Sequence, residues 1–227
     1  MTQAQTSENG KMPAPRKGGH LFQAWLVLLL AVIFGACLSA VHVSLSGRIS
    51  DNKLNESLEK IPELIWGGME QGAPPDQASI DIAPGRIAVT SGQRTTYYPV
   101  FRVNAEGALA GWVLKAAGQG YAGKVELLLG LNPAGDKITG LFVLGQSETP
   151  GLGNKISSPE WLAQFAGQRT AAPLKVVKGG EPAPGVIDAI TGATISSRSV
   201  TGIVNRAIGE TRGLLTPEQM KLTERSQ

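Results

Sequence analysis

The sequence has 227 residues, and its 21 lysine and arginine residues against 18 aspartate and glutamate residues give a formal net charge of +3. Three of the basic residues lie within the first 20 positions, so the remainder is nearly neutral and a basic nucleic-acid-binding surface is excluded. The single cysteine, Cys37, excludes an internal disulfide and a cysteine-ligated metal or iron–sulfur site, while His20 and His42 flank an apolar segment and form no plausible metal pair.

The first 45 residues consist of a polar segment followed by an apolar one. Residues 1–20 are polar and are predicted to form a disordered cytoplasmic tail. Residues 21–45 are almost free of charged side chains, and about 20 apolar residues are enough to cross a bilayer as a helix. A cleaved signal peptide is the alternative, but its apolar core has only about 7–15 residues. Basic residues flank the segment almost equally, so charge indicates little about its orientation.

Residues 46–75 are predicted to form a juxtamembrane helix and a linker. Five apolar residues lie near helical spacing: Leu54, Leu58, Ile61, Ile65 and Trp66. Pro62 is expected to kink or restart the helix, and the glycine- and proline-rich residues 67–75 indicate the linker. The helix is either a stalk or partner-binding surface, or it packs against its own domain.

Between Arg86 and Leu144 the hydrophobic pattern changes to a period of two, which is typical of strands. Turn-forming residues at 104–107 and 132–136 separate the strands. We predict an antiparallel meander with one buried face, in an α+β domain with flanking helices that occupies residues 76–215. No dinucleotide-binding glycine fingerprint follows a strand. Residues 216–227 are predicted to form a polar C-terminal tail.

Two short segments carry the candidate site. The first, residues 148–155, contains one proline and two glycines, which predict a tight loop whose backbone a flat ligand can approach. The second, residues 188–197, leads into a predicted helix. The apolar stripe of that helix consists of Val200, Ile203, Val204, Ala207 and Ile208.

Residues 191–194 are predicted to lie just before the start of this helix, with Ser196 or Ser197 as its N-cap. Free amides and the helix dipole favour an anion such as a phosphate at that point. Two small residues leave room for a ligand, and Thr194 offers a hydroxyl group beside it. A capped helix that binds nothing is the alternative that the residues alone leave open.

Together the two segments resemble a covalent FMN-binding domain. Asp188-x-x-Thr191-Gly-Ala-Thr194 resembles the motif at which a transferase esterifies the phosphate of FMN to the last threonine, here Thr194. Glu148-Thr-Pro-Gly-Leu-Gly153 is similar to the other signature of this domain, and the similarity runs from about Tyr121 through Ala207. The domain occurs in the G subunit of the Rnf electron-transport complex and in the C subunit of the sodium-pumping NADH:quinone oxidoreductase. The single N-terminal span makes the chain more similar to the first of these.

The resemblance implies a set of cofactor-binding residues around Thr194. Loop residues are expected to pack against the flavin or to form hydrogen bonds with it: Glu148, Thr149, Gly151, Leu152 and Gly153. Lys155 is expected either to offset the reduced, anionic flavin or to be exposed without a role. Motif residues are expected to hold or admit the phosphate: Asp188, Thr191, Gly192, Ala193 and Ser197. A turn-forming role is the alternative for Asp188.

The resemblance also implies a function, partners and a location. It implies an electron-transfer subunit of an Rnf-type ferredoxin:NAD oxidoreductase and ion pump, with covalent FMN and no catalytic residue, metal or substrate site of its own. Expected partners are the other Rnf subunits, above all a membrane subunit with a second covalent FMN, a separate flavin transferase, and bilayer lipid. The expected location is the bacterial inner membrane, with a single span and a periplasmic C-terminal domain. The alternatives are a component like the C subunit of the quinone reductase, a periplasmic FMN-bearing sensor or accessory protein, and a structural domain whose motifs are incidental.

Overall fold

The computed structural model describes residues 19–67, 79–180 and 183–215. The predicted N-terminal tail up to residue 18, the linker from residue 68 and the C-terminal tail lie outside the described residues. The chain divides into two compact units, Met1–Asp51 and Asn52–Gln227.

The first element is a single helix, α1 (Gly19–Trp66). Its segment Ala24–Leu45 has a mean hydropathy of 2.6 and exposed side chains, so by length and composition it can cross a membrane. Pro62 lies inside α1, which continues without interruption to Trp66, so of the two predicted effects of this proline the restart does not occur. Ile61 and Ile65 on either side of it are fully buried, and this packing offsets the hydrogen bond that proline cannot make.

Five antiparallel strands follow in a meander, which confirms the predicted α+β fold class. They are β1 (Ile80–Ser91), β2 (Arg94–Ala105), β3 (Ala108–Gln119), β4 (Lys124–Leu131) and β5 (Ile138–Gly145). Their order in the sheet is the order in the sequence. The first strand begins before Arg86, where the period of two was expected to start.

The prediction of one buried face is wrong, because helices cover both faces of the sheet. The apolar stripe of α3 (Thr194–Thr211) packs with β3 residues such as Trp112 and Leu114 on one face. On the other face, Ile61 and Ile65 of α1 pack with Val113. Val113 lies between Trp112 and Leu114 in sequence, so its side chain points to the opposite face of the strand. The C-terminal part of α1 therefore packs on its own domain, and the central strands are apolar on both sides.

Paired glycines let α1 approach the sheet closely. Gly130 of β4 and Gly140 of β5 face each other across the ladder. A Cβ atom on Gly130 would lie 2.7 Å from the carbonyl oxygen of Leu64, and one on Gly140 would lie 3.0 Å from the same oxygen. Both glycines therefore serve close packing, where any side chain would push α1 away.

The remaining elements bring the two candidate segments to one place. After β5 come a 3₁₀ turn (Gly153–Ser157), a one-turn helix α2 (Pro159–Leu162) and a second 3₁₀ turn (Ala163–Phe165). A short parallel pair, β6 (Lys175–Val177) and β7 (Val186–Asp188), then leads directly into the turn before α3. A third 3₁₀ turn (Arg212–Leu214) follows α3.

Candidate functional site

A tight turn joins β7 to α3 and presents Thr194. The amide of Ala193 donates a hydrogen bond to the carbonyl of Ile190 at 2.9 Å, and Gly192 at the third position of this turn has a φ of +82°. That backbone conformation favours glycine, as in type II turns. Thr194 is the first residue of α3 and is half-buried.

The predicted N-cap is wrong, because the cap position is Ala193 and both serines lie inside the first turn of α3. Ser196 and Ser197 are buried, with exposed fractions of 3% and 0%. The Ser197 hydroxyl group accepts a hydrogen bond from the Ile190 amide at 3.1 Å and donates one to the carbonyl of Ala193 at 3.0 Å. The Ser197 hydroxyl group therefore connects both ends of the turn to the helix by hydrogen bonds. Because its side chain is buried, it is not accessible to a ligand.

The start of α3 suits a phosphate group. Ala193 offers no side-chain acceptor, and the amides of the first helical residues have no intrahelical acceptor by geometry. The positive end of the helix dipole adds a favourable interaction with an anion of about 0.3–1 kcal/mol. The Thr194 hydroxyl group belongs to the first of these residues, so a phosphate joined to it lies beside uncommitted amides.

The loop after β5 forms a second turn of the same kind. The carbonyl of Thr149 accepts hydrogen bonds from the amides of Leu152 and Asn154, each at 3.2 Å, and Gly151 has a φ of +76°. A Cβ atom on Gly192 would lie 3.1 Å from Cδ2 of Leu152. The two turns that the sequence singled out are thus neighbours in space.

Glu148 connects these segments through a buried carboxylate. Its Oε1 accepts hydrogen bonds from the amides of Tyr121 (2.8 Å) and Ala122 (3.2 Å), at the β3–β4 turn. Its Oε2 accepts a hydrogen bond from the Ser196 hydroxyl group at 2.6 Å. Both oxygens accept hydrogen bonds from protein donors, so this side chain connects the β3–β4 turn to the first turn of α3.

Two glycines make room for this carboxylate. A Cβ atom on Gly153 would lie 2.8 Å from Oε2 of Glu148 and 2.9 Å from Oγ of Ser196. A Cβ atom on Gly120 would collide with Oε1 of the same glutamate. Gly153 is itself buried, so its role is to admit Glu148 beneath the surface of the loop.

Two other predicted site residues face away from this centre or into solvent. The Asp188 carboxylate accepts hydrogen bonds from the amides of Gly179 (2.7 Å) and Gly180 (3.4 Å), so it closes the turn after β6. Its backbone carbonyl accepts a hydrogen bond from Nε1 of Trp161 at 2.8 Å. This geometry agrees with the turn-forming alternative. Lys155 is exposed on the 3₁₀ turn.

Large apolar side chains are exposed on three segments that meet at the site: the β3–β4 turn, the loop after β5 and the first turn of α3. Their exposed fractions are 61% for Tyr121, 56% for Ile195 and 47% for Leu152. Sequence reasoning did not assign Tyr121 or Ile195 to the site. Ile195 had a usable signal, because it is an apolar residue that falls outside the buried stripe of its helix.

Three cavities among the described residues are not lined by Thr194. One of them, of about 870 Å³, is lined by Tyr98, Lys115, Arg206 and Glu210 among others. In this cavity, burial and a hydrogen bond to Glu210 raise the pKa of Tyr98 to about 12. The two turns that form the candidate cofactor site are exposed at Thr149, Gly151, Leu152, Thr191 and Gly192.

Comparison with known proteins identifies the class of this domain. Residues 120–209 match the family described as the FMN-binding domain, and this range contains both turns, Glu148 and the apolar stripe of α3. Two solved structures share the fold: the C subunit of the Na⁺-translocating NADH-quinone reductase from Parabacteroides distasonis (TM-score 0.55, 22% identity, 74% of this chain and 96% of that one) and NqrC of Shewanella oneidensis (TM-score 0.54, 17% identity, 76% and 100%). The chain thus carries a flavoprotein domain of the FMN-binding class.

Comparison with full-length relatives identifies the family of the whole chain. The chain is 40% identical over 191 residues to the G subunit of the Na⁺-translocating ferredoxin:NAD⁺ oxidoreductase complex of Acetobacterium woodii, covering 83% of this chain and 90% of the relative. It is 35% identical over 208 residues to the G subunit of the ion-translocating oxidoreductase complex of Cereibacter sphaeroides, covering 86% and 89%. The chain belongs to the family of G subunits of ion-translocating oxidoreductase complexes, and the predicted family resemblance is confirmed.

Proposed function

We propose that this protein is the electron-transfer G subunit of an Rnf-type ferredoxin:NAD⁺ oxidoreductase complex, and that its FMN is esterified through phosphate to Thr194. The observation that carries the proposal is the position of Thr194 at the start of α3, within the matched FMN-binding domain. The hydroxyl group is half-buried there, next to amides without a side-chain cap.

The surroundings of Thr194 fit a tethered FMN. The helix start suits the phosphate, and Gly192 keeps the backbone open beside it. Exposed Leu152 and Ile195 offer an apolar surface to a flat ring. Bound FMN supplies the electron transfer, while the chain sets its position and exposure. Covalent attachment keeps the cofactor in place at a site whose two turns are exposed.

The predicted site residues act at different distances from the flavin. Leu152 and the turn at residues 149–151 would contact the flavin ring in this proposal. Thr191, Gly192 and Ala193 shape the approach to the phosphate. Three further residues stabilise the two turns, because their contacts are with protein atoms: Glu148, Gly153 and Ser197.

The protein works, in this proposal, as a single-span subunit of the bacterial inner membrane with its FMN domain on the periplasmic side. It exchanges electrons with other subunits of the complex, including a membrane subunit that bears a second covalent FMN. A separate flavin transferase attaches the cofactor, since a free threonine hydroxyl group is a weak nucleophile near neutral pH.

The attachment is tested by expressing the full chain together with a flavin transferase. The wild-type band should fluoresce under ultraviolet light after denaturing electrophoresis, and Thr194→Ala should be dark. Thr191→Ala is the matched control, because it removes a hydroxyl group three residues earlier and should keep the fluorescence. Peptide mass spectrometry should find one FMN phosphoester on the segment that contains Thr194. A dark wild-type band, or a fluorescent Thr194→Ala band, would contradict the proposal.

Topology is tested by cysteine labelling. A single cysteine is placed in residues 216–227 of a Cys37→Ser chain and exposed to a membrane-impermeant thiol reagent. Labelling is expected in intact spheroplasts. Labelling only after lysis would place the domain on the cytoplasmic side.

A component of a Na⁺-translocating NADH-quinone reductase is the second candidate. The chain is 27% identical over 171 residues to the C subunit of that enzyme from Yersinia pestis, but it covers only 64% of that relative. Copurification separates the two candidates. Partners of an Rnf-type complex are expected, and quinone-reductase subunits in their place would favour the second.

A further inference from the structure

Tyr121 is an exposed aromatic residue at the tip of the β3–β4 hairpin. The exposed fraction of its side chain is 61%, and that of Tyr97 on β2 is nearly the same, 60%. Single exposed apolar side chains are common on protein surfaces, so exposure alone assigns no role to either residue. The positions of the two tyrosines differ: Tyr97 lies beneath the guanidinium group of Arg86, 5.7 Å from it, and lines the 870 Å³ cavity.

Tyr121 is held beside the attachment site by its backbone. Its amide donates a hydrogen bond of 2.8 Å to Oε1 of Glu148, and the Ser196 hydroxyl group donates one of 2.6 Å to Oε2. Because one carboxylate accepts both, the hairpin tip and the first turn of α3 lie against the same group. Ser196 is only two residues from Thr194.

The hairpin tip has little freedom to move. The amide of Gly120 donates a hydrogen bond of 2.7 Å to the carbonyl of Gly123, and Gly120 lies so close to Oε1 of Glu148 that a Cβ atom would collide with it. The Ala122 amide adds a further hydrogen bond to the same oxygen. An exposed ring on a fixed backbone is suited to contact a ligand, because little conformational entropy is lost on binding.

We infer that the ring of Tyr121 packs against the isoalloxazine of the FMN attached at Thr194, on the same surface as Leu152 and Ile195. This inference rests on the proposed function. The ribityl phosphate is a flexible tether, so the flat ring settles on apolar surface within its reach, and an aromatic side chain is the best partner for it. Tyr121 acts as a positioning residue, which limits the mobility of the tethered flavin.

Flavin fluorescence tests this contact, because a phenol ring packed on isoalloxazine quenches it. The full chain and its variants are loaded by the transferase, purified in detergent and compared at equal flavin absorbance, first native and then in denaturant. Tyr121→Leu should raise the native fluorescence severalfold, and Tyr121→Trp should keep it quenched. Tyr97→Leu is the control and should match the wild type. In denaturant all four proteins should be equally bright, since the contact is then lost.

The outcomes separate this inference from the proposed function. The role of Tyr121 would be overturned if Tyr121→Leu and the wild type had the same native fluorescence. If their bands on a denaturing gel were also equally fluorescent, the attachment would remain intact. Brightening in Tyr97→Leu as large as in Tyr121→Leu would also overturn it. A wild-type band without fluorescence would overturn the attachment and this inference with it.

Discussion

Ser197 illustrates how single residues shape the site without touching a ligand. Its side chain is fully buried, and its hydroxyl group bonds both ends of the turn that precedes Thr194. Glu148 has the same kind of role, since its carboxylate oxygens face protein donors on two other segments. At the residue scale, the buried polar side chains of the two motifs are hydrogen-bonded to protein atoms.

Ser197→Ala is expected to destabilise the domain by about 1–3 kcal/mol, because it leaves the Ile190 amide without its acceptor. It should also lower the fraction of chains that carry flavin, since the turn is no longer fixed. Ser199→Ala on the same helix is the control and should change the free energy of unfolding by less than about 0.5 kcal/mol. Thermal unfolding and in-gel fluorescence measure the two effects, and equal stabilities of the two variants would argue against this role.

Tyr98 predicts a decline in stability at alkaline pH. Burial and its 2.7 Å hydrogen bond to Glu210 raise its pKa from 10.0 to about 12. Above pH 10 the unfolded chain releases the phenolic proton while the folded chain retains it, so the stabilising contribution is lost as the pH rises towards 12. Tyr98→Phe should flatten this part of the pH profile of denaturant unfolding, with Tyr97→Phe as control. An unchanged slope in Tyr98→Phe would assign the decline to other groups.

At the scale of elements, the sheet is the part that both helices depend on. The central strands β3 and β4 are apolar on both faces, with α3 on one side and the end of α1 on the other. Packing on the sheet holds α3 in position, and it therefore also determines the orientation of the first turn of this helix. The glycines at the α1 face set how closely that helix packs.

Gly130→Ala is expected to cost about 1–3 kcal/mol of stability, because its Cβ would lie 2.6 Å from Oγ1 of Thr139 and 2.7 Å from the Leu64 carbonyl oxygen. Gly145→Ala in β5 is the matched control, since its nearest neighbour would be a Glu126 oxygen at 3.8 Å. Thermal unfolding in detergent compares them. A Gly130→Ala protein as stable as Gly145→Ala would mean that α1 does not pack tightly there.

At the scale of the whole molecule, helix α1 serves two purposes along its length. Residues 24–45 have the length and apolar character of a membrane span, whereas Ile61, Leu64 and Ile65 belong to the core of the second unit. The end of the helix is therefore part of the flavoprotein domain.

Two truncated chains test this division. A chain that begins at Asn52 should be water-soluble and unfold cooperatively, whereas a chain that begins at Ser79 should aggregate. Each of Ile61, Leu64 and Ile65 contributes about 1.5–3 kcal/mol by burial, which together is a large part of a typical stability of about 5–15 kcal/mol. Circular dichroism and light scattering measure both properties. A well-folded chain from Ser79 would show that α1 is dispensable for the domain.

The sequence by itself determined the membrane-span candidate, the meander of strands and the family, because each depends on a local pattern: an apolar run, a period of two, and two short motifs read in order. It also placed Thr194 at a helix start, although it put the cap three or four residues too late. Local signals carry this information because hydrophobic periodicity and turn chemistry act over a few residues.

Only the tertiary structure decided what the motif side chains do. Nothing in the chain order indicates that Glu148 meets the amide of Tyr121 and the hydroxyl group of Ser196, or that the Asp188 carboxylate turns towards Gly179. Nor does it decide whether α1 packs on its own domain, which the hydrophobic pattern left open, or indicate that the β3–β4 turn lies against the first turn of α3. These are contacts between residues distant in sequence, and they arise when strands and helices pack to bury apolar surface and to satisfy the polar groups enclosed with it.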